Sequence, residues 1–335
     1  MNEVIRRLTT DDIEKVRELW QLRFHDDDNF LNWYFSRRFD PSLSFGLFMD
    51  DELISMSHGF GMKLKLRQRV FPALMVSGIS TREGYERHGY MHRVVSKQLK
   101  YALSLGFALS FCHPEDIHAY DKLGFSVCSD IKLVKGFRPS PLCGALSAEA
   151  PSSDLSSFAS RYAKLSKPYS FITERDESAC ALRLEDVMSD GGRLFSTDNG
   201  CCFYHRSGET LHVDECICDS DYESFLAALV QSESGSLVID GKFPVDCKLT
   251  EATAPWTVMV ALDVPRLLLE LVGDPNQSFE ITDSLTCSGA YSGMGLPVQH
   301  GCVQISVNRL SSALCGYHGL SDILCPVPCY CPDEY

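Results

Sequence analysis

Positive charge, long apolar runs and paired cysteines are all scarce in this sequence, and each shortage excludes a class of protein. The 31 Lys and Arg are outnumbered by 45 Asp and Glu, which leaves a net charge of −14 at pH 7. A surface of that sign repels phosphate backbones, so no nucleic acid partner is expected and cationic small molecules are favoured. No uninterrupted apolar stretch is long enough to span a bilayer. The opening residues, MNEVIRRLTTDDIEK, lack the apolar core of a signal peptide, and a cytoplasmic location is expected. Fifteen cysteines are present, yet none stands in a C-x2-C pair, the count is odd and the spacings are irregular. Without a secretion signal, reduced thiols acting as small hydrophobes are favoured over a disulfide framework, and no metal site is expected.

What remains is an ordinary globular composition, 44% hydrophobic and 23% charged, in a chain longer than one core usually serves. Two or three domains are therefore expected. The first stretch alternates strand and helix. Val4 to Leu8 reads as a strand, and TTDD then opens a helix with Ile13, Val16 and Trp20 on one face. Leu43 to Ser57 fits a hairpin turning at Asp50-Asp51, and Met62 to Leu66 and Ala73 to Ser80 are further strands. A long helix is expected from Gly89 to Leu105, with Val95, Leu99, Ala102 and Leu103 inward and Gly106 ending it. Phe107 to Phe111 follows as a strand, and a brief helix over Ile117 to Leu123 stops at Gly124. The stretch 138–157, rich in Pro, Ser and Ala, marks the best domain boundary. Beyond it come strand-like segments (CCFYHR, ETLHVDECI, SLVIDG) and a helix over Tyr222 to Val230. Asp263 caps a further helix with Pro265 in its first turn, followed by strands at Phe279 to Thr282 and Val303 to Val307. No sequence repeat is evident.

The informative stretch is VSGISTREGYERHGYMHRVV, Val76 to Val95. A strand ends, a polar turn holds a glycine, and a helix begins. Such a turn aims free backbone N–H groups and the positive helix end at one point, which suits a diphosphate. Gly89 lets the backbone approach, while Arg87, His88 and His92 supply positive charge or hydrogen bonds. Taken alone, the turn is as readily an ordinary strand-to-helix connection.

Here the sequence resembles the GCN5-related N-acetyltransferases (GNAT), whose signature at this turn is Arg/Gln-x-x-Gly-x-Gly/Ala. Glu86, Arg87, His88, Gly89, Tyr90 and Met91 occupy the motif; Glu86 replaces Arg/Gln and Met91 replaces the final small residue. The resemblance implies that main-chain amides there bind the acetyl-CoA pyrophosphate and that Ile79, Ser80 and Thr81 hold the pantetheine arm. A second match, HPEDIHAYDKLGF (His113 to Phe125), resembles the family's Tyr-x-x-x-Gly-Phe. It implies Tyr120 as the general acid that protonates the CoA thiolate, with Glu115 and Asp116 near the cofactor.

REGYERHGYM together with PWTVMVALDVPRLLLEL, ITDSLTCSGAY and VQISVNRLSSALCGY narrows the resemblance to the enhanced intracellular survival (Eis) family. The implied architecture is α/β (α+β), a GNAT acyl-CoA N-acyltransferase fold in tandem followed by a sterol-carrier-protein-like α+β domain. The corresponding boundaries are 1–140 for the catalytic domain, 141–253 for a degenerate second one and 254–335 for the third. No second glycine-bearing turn precedes a helix, so one cofactor site per chain is expected. The implied activity is transfer of acetyl from acetyl-CoA to a primary amine such as an aminoglycoside, a polyamine or a lysine. The family's general base is the terminal carboxylate, here that of Tyr335; Asp333, Glu334 and Asp26 to Asp28 are the alternatives. The family also implies a homo-oligomer, a hexamer. Two competing readings are a lipid-binding protein with an inert transferase fold and an acyltransferase for longer chains.

Overall fold

A computed structural model describes residues 2–140, 154–219, 221–249, 252–299, 302–317 and 331. The chain divides into two compact units. Among the described residues the first comprises residues up to Cys128 together with 256–317; the second comprises Ser129–Pro255 and Cys331. The described residues of 256–317, expected as part of a separate third domain, thus lie in the same unit as those up to 128.

The first unit opens with β1 (Glu3–Arg7), α1 (Ile13–Phe24) and α2 (Asp28–Trp33). β2 (Phe45–Met49), β3 (Glu52–Leu66), β4 (Arg69–Thr81), α3 (Tyr90–Ser104) and β5 (Leu109–Cys112) follow, then a short 3-10 helix over Ile117–Leu123. The hairpin turn falls where Asp50-Asp51 placed it, both residues taking positive φ (45° and 74°), which matches the twist of the strands they join. The two strands expected across 52–66 are one, because β3 pairs with β4 almost along its length. That hairpin closes at Arg67 (φ 57°), a residue that carries no turn signal in sequence.

In α3 the buried face is Val94, Val95, Gln98, Leu99 and Ala102, whereas Leu103 is only half-buried. Gln98 is tolerated inside because its amide is fully used: it donates to the Leu43 carbonyl (2.9 Å) and accepts from Ser57 Oγ (2.5 Å).

The second unit holds most of β6 (Ser126–Phe137), then α4 (Leu155–Leu165), β7 (Phe171–Thr173) and α5 (Glu177–Ser189). β8 (Arg193–Thr197), β9 (Gly200–Ser207), β10 (Thr210–Cys218), α6 (Tyr222–Ser232) and β11 (Val238–Pro244) complete it. Strands run in the order β6-β11-β10-β9-β8, antiparallel except for the β10–β11 pair. A buried ion pair, Arg175 to Glu215 at 2.7 and 2.9 Å, sits within this unit.

The chain returns to the first unit through β12 (Ala252–Ala261), α7 (Val264–Leu271), β13 (Ser278–Ile281), β14 (Gly289–Ser292), β15 (Val303–Ile305) and α8 (Val307–Cys315). As expected, Asp263 caps α7 with Pro265 in its first turn. α8 was not foreseen; Ser306 caps it, ending the strand expected over Val303 to Val307 early. In the first unit the strand order is β1-β2-β3-β4-β5-β12, with a separate small sheet β14-β13-β15.

No sequence repeat is visible, yet the two units share a plan. In each, an antiparallel run (β2-β3-β4, β8-β9-β10) leads into a parallel crossover, β4-α3-β5 and β10-α6-β11. Among the described residues no helix is long and apolar enough to cross a membrane, and the cysteines are free and mostly buried.

Candidate active site

The site begins with a fault in a strand pair. Opposite β3, the register of β4 slips between Ser77↔His58 and Ser80↔Met56, so Gly78 and Ile79 face Ser57 alone. The bulge bends β4. On its other edge β4 pairs with β5 only through Ala73–Met75. Beyond that point a cavity of about 770 Å³ is lined by Val76–Thr81 from β4 and by Cys112–Asp116 from the end of β5. Its remaining wall comes from the 84–92 turn, from Ala119 and Tyr120, and from Arg23 and Phe24 at the end of α1.

At the head of this cavity stands the N-terminus of α3. Gly89 is its N-cap in left-handed conformation (φ 78°), offers no side-chain cap, and is followed by a first turn without an acid. A Cβ built on Gly89 would meet nothing within 4 Å, so the space above the turn is open. Uncapped first-turn amides and the positive end of a 15-residue helix therefore face the cavity. Arg87 also takes positive φ (64°), part of the same tight turn.

Glu86, the departure from the motif, is occupied locally. Its carboxylate accepts from the Gly84 amide (2.8 Å) and from Arg23 Nη1 (3.0 Å). Hydrogen bonds from its own and the Gly84 amide, with Arg23 alongside, hold its carboxyl below the ordinary range. The charge is thus matched by a cation that the sequence did not single out.

Of the residues picked out from sequence, Ile79, Ser80, Thr81, Arg87, Gly89, Tyr90, Met91, His92, Glu115, Asp116 and Tyr120 all line this one cavity. His88 does not; its Nδ1 donates to the Glu86 carbonyl (2.8 Å) and its ring stacks on Tyr90. His92 lends Nε2 to the Lys122 carbonyl at 3.2 Å, tying α3 to the 3-10 helix. Asp116 caps that helix through the His118 amide (2.9 Å), and Glu115 is exposed, so neither carboxylate is suited to meet a phosphate. Tyr335, Asp333 and Glu334 lie outside the described residues. The Asp26–Asp28 cluster is largely spoken for: Asp26 accepts from Trp20 Nε1 (2.8 Å) and Asp27 caps α2, which leaves Asp28 exposed.

Tyr120 has the properties of a proton donor. Among the described residues its hydroxyl makes no hydrogen bond, and its ring packs edge-on against Phe125. Burial, with Cys112 nearby, pushes its pKa well above the ordinary phenol value, so it stays protonated at neutral pH. Burial likewise raises the Cys112 thiol, which is therefore no thiolate nucleophile. Ser80 Oγ, on the same wall, is buried with no hydrogen-bond partner among the described residues. Sequence reasoning missed Arg23, Phe24, Tyr85, Cys112 and His113. His113 is fixed by the returning segment of its own unit, stacked on Trp256 (5.0 Å) and bonded to Thr257 Oγ1 (3.3 Å). Among the described residues no group of His, Cys, Asp and Glu is arranged to hold a metal.

Residues 4–128 match the family model described as an acetyltransferase (GNAT) domain. No curated protein matches the chain. Several solved structures share its fold over the full length. A probable N-acyltransferase from Enterococcus faecalis is 13% identical with a TM-score of 0.78, and each chain covers all of the other. A GCN5-related N-acetyltransferase from Kribbella flavida is 14% identical at a TM-score of 0.77, covering 100% of this chain and 98% of that one. Eis1 from Mycobacterium abscessus is 15% identical at 0.74, with full coverage of both. At such identities the likeness is one of fold alone.

Proposed function

We propose that this chain is an N-acetyltransferase that moves the acetyl group of acetyl-CoA directly to a primary amine. The observation that carries this reading is the uncapped N-terminus of α3, set by Gly89 at the head of a cavity that parts β4 from β5. The diphosphate would lie against the amides of Gly89 to His92, with Arg87 beside it. The pantetheine arm would follow the backbone of Ile79 to Thr81.

An alkylammonium has a pKa near ~10.4, so only about one in a thousand is neutral at pH 7. The attacking nitrogen must therefore lose a proton to a base. We assign that role to the terminal carboxylate of Tyr335 on the sequence resemblance. As nitrogen adds to the thioester carbon, the carbonyl oxygen gains charge, and a β4 backbone N–H near Ser80 and Thr81 would stabilise it. When the C–S bond breaks, Tyr120 would give its proton to sulfur, and the second proton lost by the nitrogen would replace it, so that neutral amide and free thiol leave.

The second unit is read as a transferase-like fold with no cofactor site of its own. Its equivalent helix, α6, is capped by the Asp221 carboxylate, which accepts from the Ser224 amide (3.0 Å). A carboxylate already sits where a diphosphate would have to go. The sterol-carrier-like reading of 254–335 and a hexameric assembly rest on the sequence resemblance. The net charge of −14 favours a cationic acceptor. A panel of amines with acetyl-CoA and longer acyl-CoAs, followed by thiol release, tests the proposal. Thiol released only with acetyl-CoA and an amine is the expected result. Binding without turnover across a broad panel would instead favour an inert transferase fold.

A further inference from the structure

A second cavity in the first unit, about 410 Å³, carries the opposite charge to the rest of the chain. Arg6 and Arg7 enter it from the end of β1, and Phe45, the register partner of Arg7, from β2. Lys97, Lys100 and Tyr101 come from one face of α3, at the i, i+3, i+4 spacing that places side chains together. The acids of this region are already engaged. Asp12 holds Arg6 in a two-point pair (2.7 and 2.8 Å), and Glu3 holds Arg93. Arg7 is left with the Tyr101 hydroxyl (2.9 Å) and ring, while Lys97 and Lys100 have no carboxylate partner among the described residues.

Arg7, Lys97 and Lys100 are exposed, and together they give one concavity a positive potential that contrasts with the chain's net charge of −14 and would attract an anion. Phe45 is buried against Tyr101, so part of the wall is apolar and screens poorly. Lys97 lies eight residues along α3 from Gly89, about 12 Å by helix rise, which sets this cavity apart from the diphosphate turn. Arg7 is already oriented by Tyr101, as a fork for phosphate oxygens needs to be, and two mobile ammonium groups stand beside it.

We propose that this cavity is a second ligand site that binds a small anion bearing a di- or triphosphate chain, whether free or on a nucleoside. The inference does not rest on the transferase reading. Titration calorimetry of the full chain with inorganic tripolyphosphate and with ATP tests it. Tripolyphosphate should bind, and more weakly as salt rises. Binding by ATP as well would assign the site to nucleotides, and its absence would assign it to free polyphosphate. Lys97→Glu with Lys100→Glu should weaken binding by about tenfold or more, the order expected for lost charge-assisted bonds, without altering acetyl-CoA affinity or the melting temperature. Gly89→Glu should leave tripolyphosphate binding intact. Should the double variant not fold, Arg7→Gln serves in its place. No heat at millimolar tripolyphosphate, binding indifferent to the lysines, or binding lost in Gly89→Glu would each overturn the proposal.

Discussion

Gly78 and His58 face one another across the bulge in β4, and Gly78 has no room for a side chain. Gly78 takes a φ of 53°, and a Cβ there would lie 2.9 Å from His58 Nδ1 and 2.4 Å from Trp20 Cζ3. The strand can bend away from β5 only because this position has no side chain. Gly78→Ala should therefore destabilise the fold by about 2–4 kcal/mol, combining positive-φ strain with overpacking. Urea denaturation measures it, and a loss under about 0.5 kcal/mol, the range of ordinary surface changes, would show the bulge to be tolerant.

His58 should make the protein acid-sensitive. Its ring is buried, stacked on Trp20 (5.2 Å) and bonded through Nδ1 to the Tyr34 hydroxyl (2.7 Å). Burial lowers its pKa to about 3. A depressed folded-state value means the unfolded chain takes up the proton first. The stabilisation is complete above the unfolded pKa near ~6.5 and is lost as pH falls towards 3. By pH 4.5 this group alone should remove about 2–3 kcal/mol. In His58→Phe the fall in urea midpoint between pH 7 and pH 4.5 should be clearly smaller; an equal fall would place the acid sensitivity elsewhere.

At the turn itself, Gly89→Glu puts an acid into the open space above the first amides of α3. Acetyl-CoA should no longer raise the melting temperature, while the apo-protein melts close to wild type apart from the positive-φ penalty of about 1 kcal/mol. Calorimetry showing undiminished acetyl-CoA binding would remove the main support for the transferase reading.

Tyr120→Phe deletes only the hydroxyl proposed to act as sulfur departs. The expected result is a kcat lowered by about 10²–10⁴-fold with little change in acetyl-CoA affinity. Wild-type turnover with any accepted amine would dismiss Tyr120 as the acid.

Extending the chain past Tyr335 tests the base. One or two added residues displace the carboxylate by about 3.3–3.6 Å each, far more than the misplacement that costs about 10²-fold. Turnover should collapse while acetyl-CoA still binds. Normal turnover in a C-terminally tagged enzyme would point instead to Asp28.

How far the sequence could be read depended on whether a feature is written in neighbouring residues. The α3 turn was legible because Gly89, the following helical period and the preceding strand lie together, and Asp50-Asp51 announced its hairpin in the same way. Gln98 inside α3 was not, since its amide is satisfied by Leu43 and Ser57, residues far off in sequence. The pairing of Arg23 with Glu86 was hidden for a like reason: it forms only after α1 and the turn have met. The shared plan of the two units is implied by the family resemblance and not by any repeat in the sequence, because strand pairing repeats while side chains do not.

One arrangement bears on how the protein is made. β5, whose end walls the candidate active site, has β12 as its outer neighbour, Cys112 opposite Val258. On the ribosome β5 emerges long before β12. At about 5–20 residues per second, its edge waits roughly 7–30 s for that partner. A bare strand edge is a template for wrong pairing. An expression fragment ending near residue 140, which a family match over 4–128 would invite, keeps that edge bare permanently and should collect in inclusion bodies.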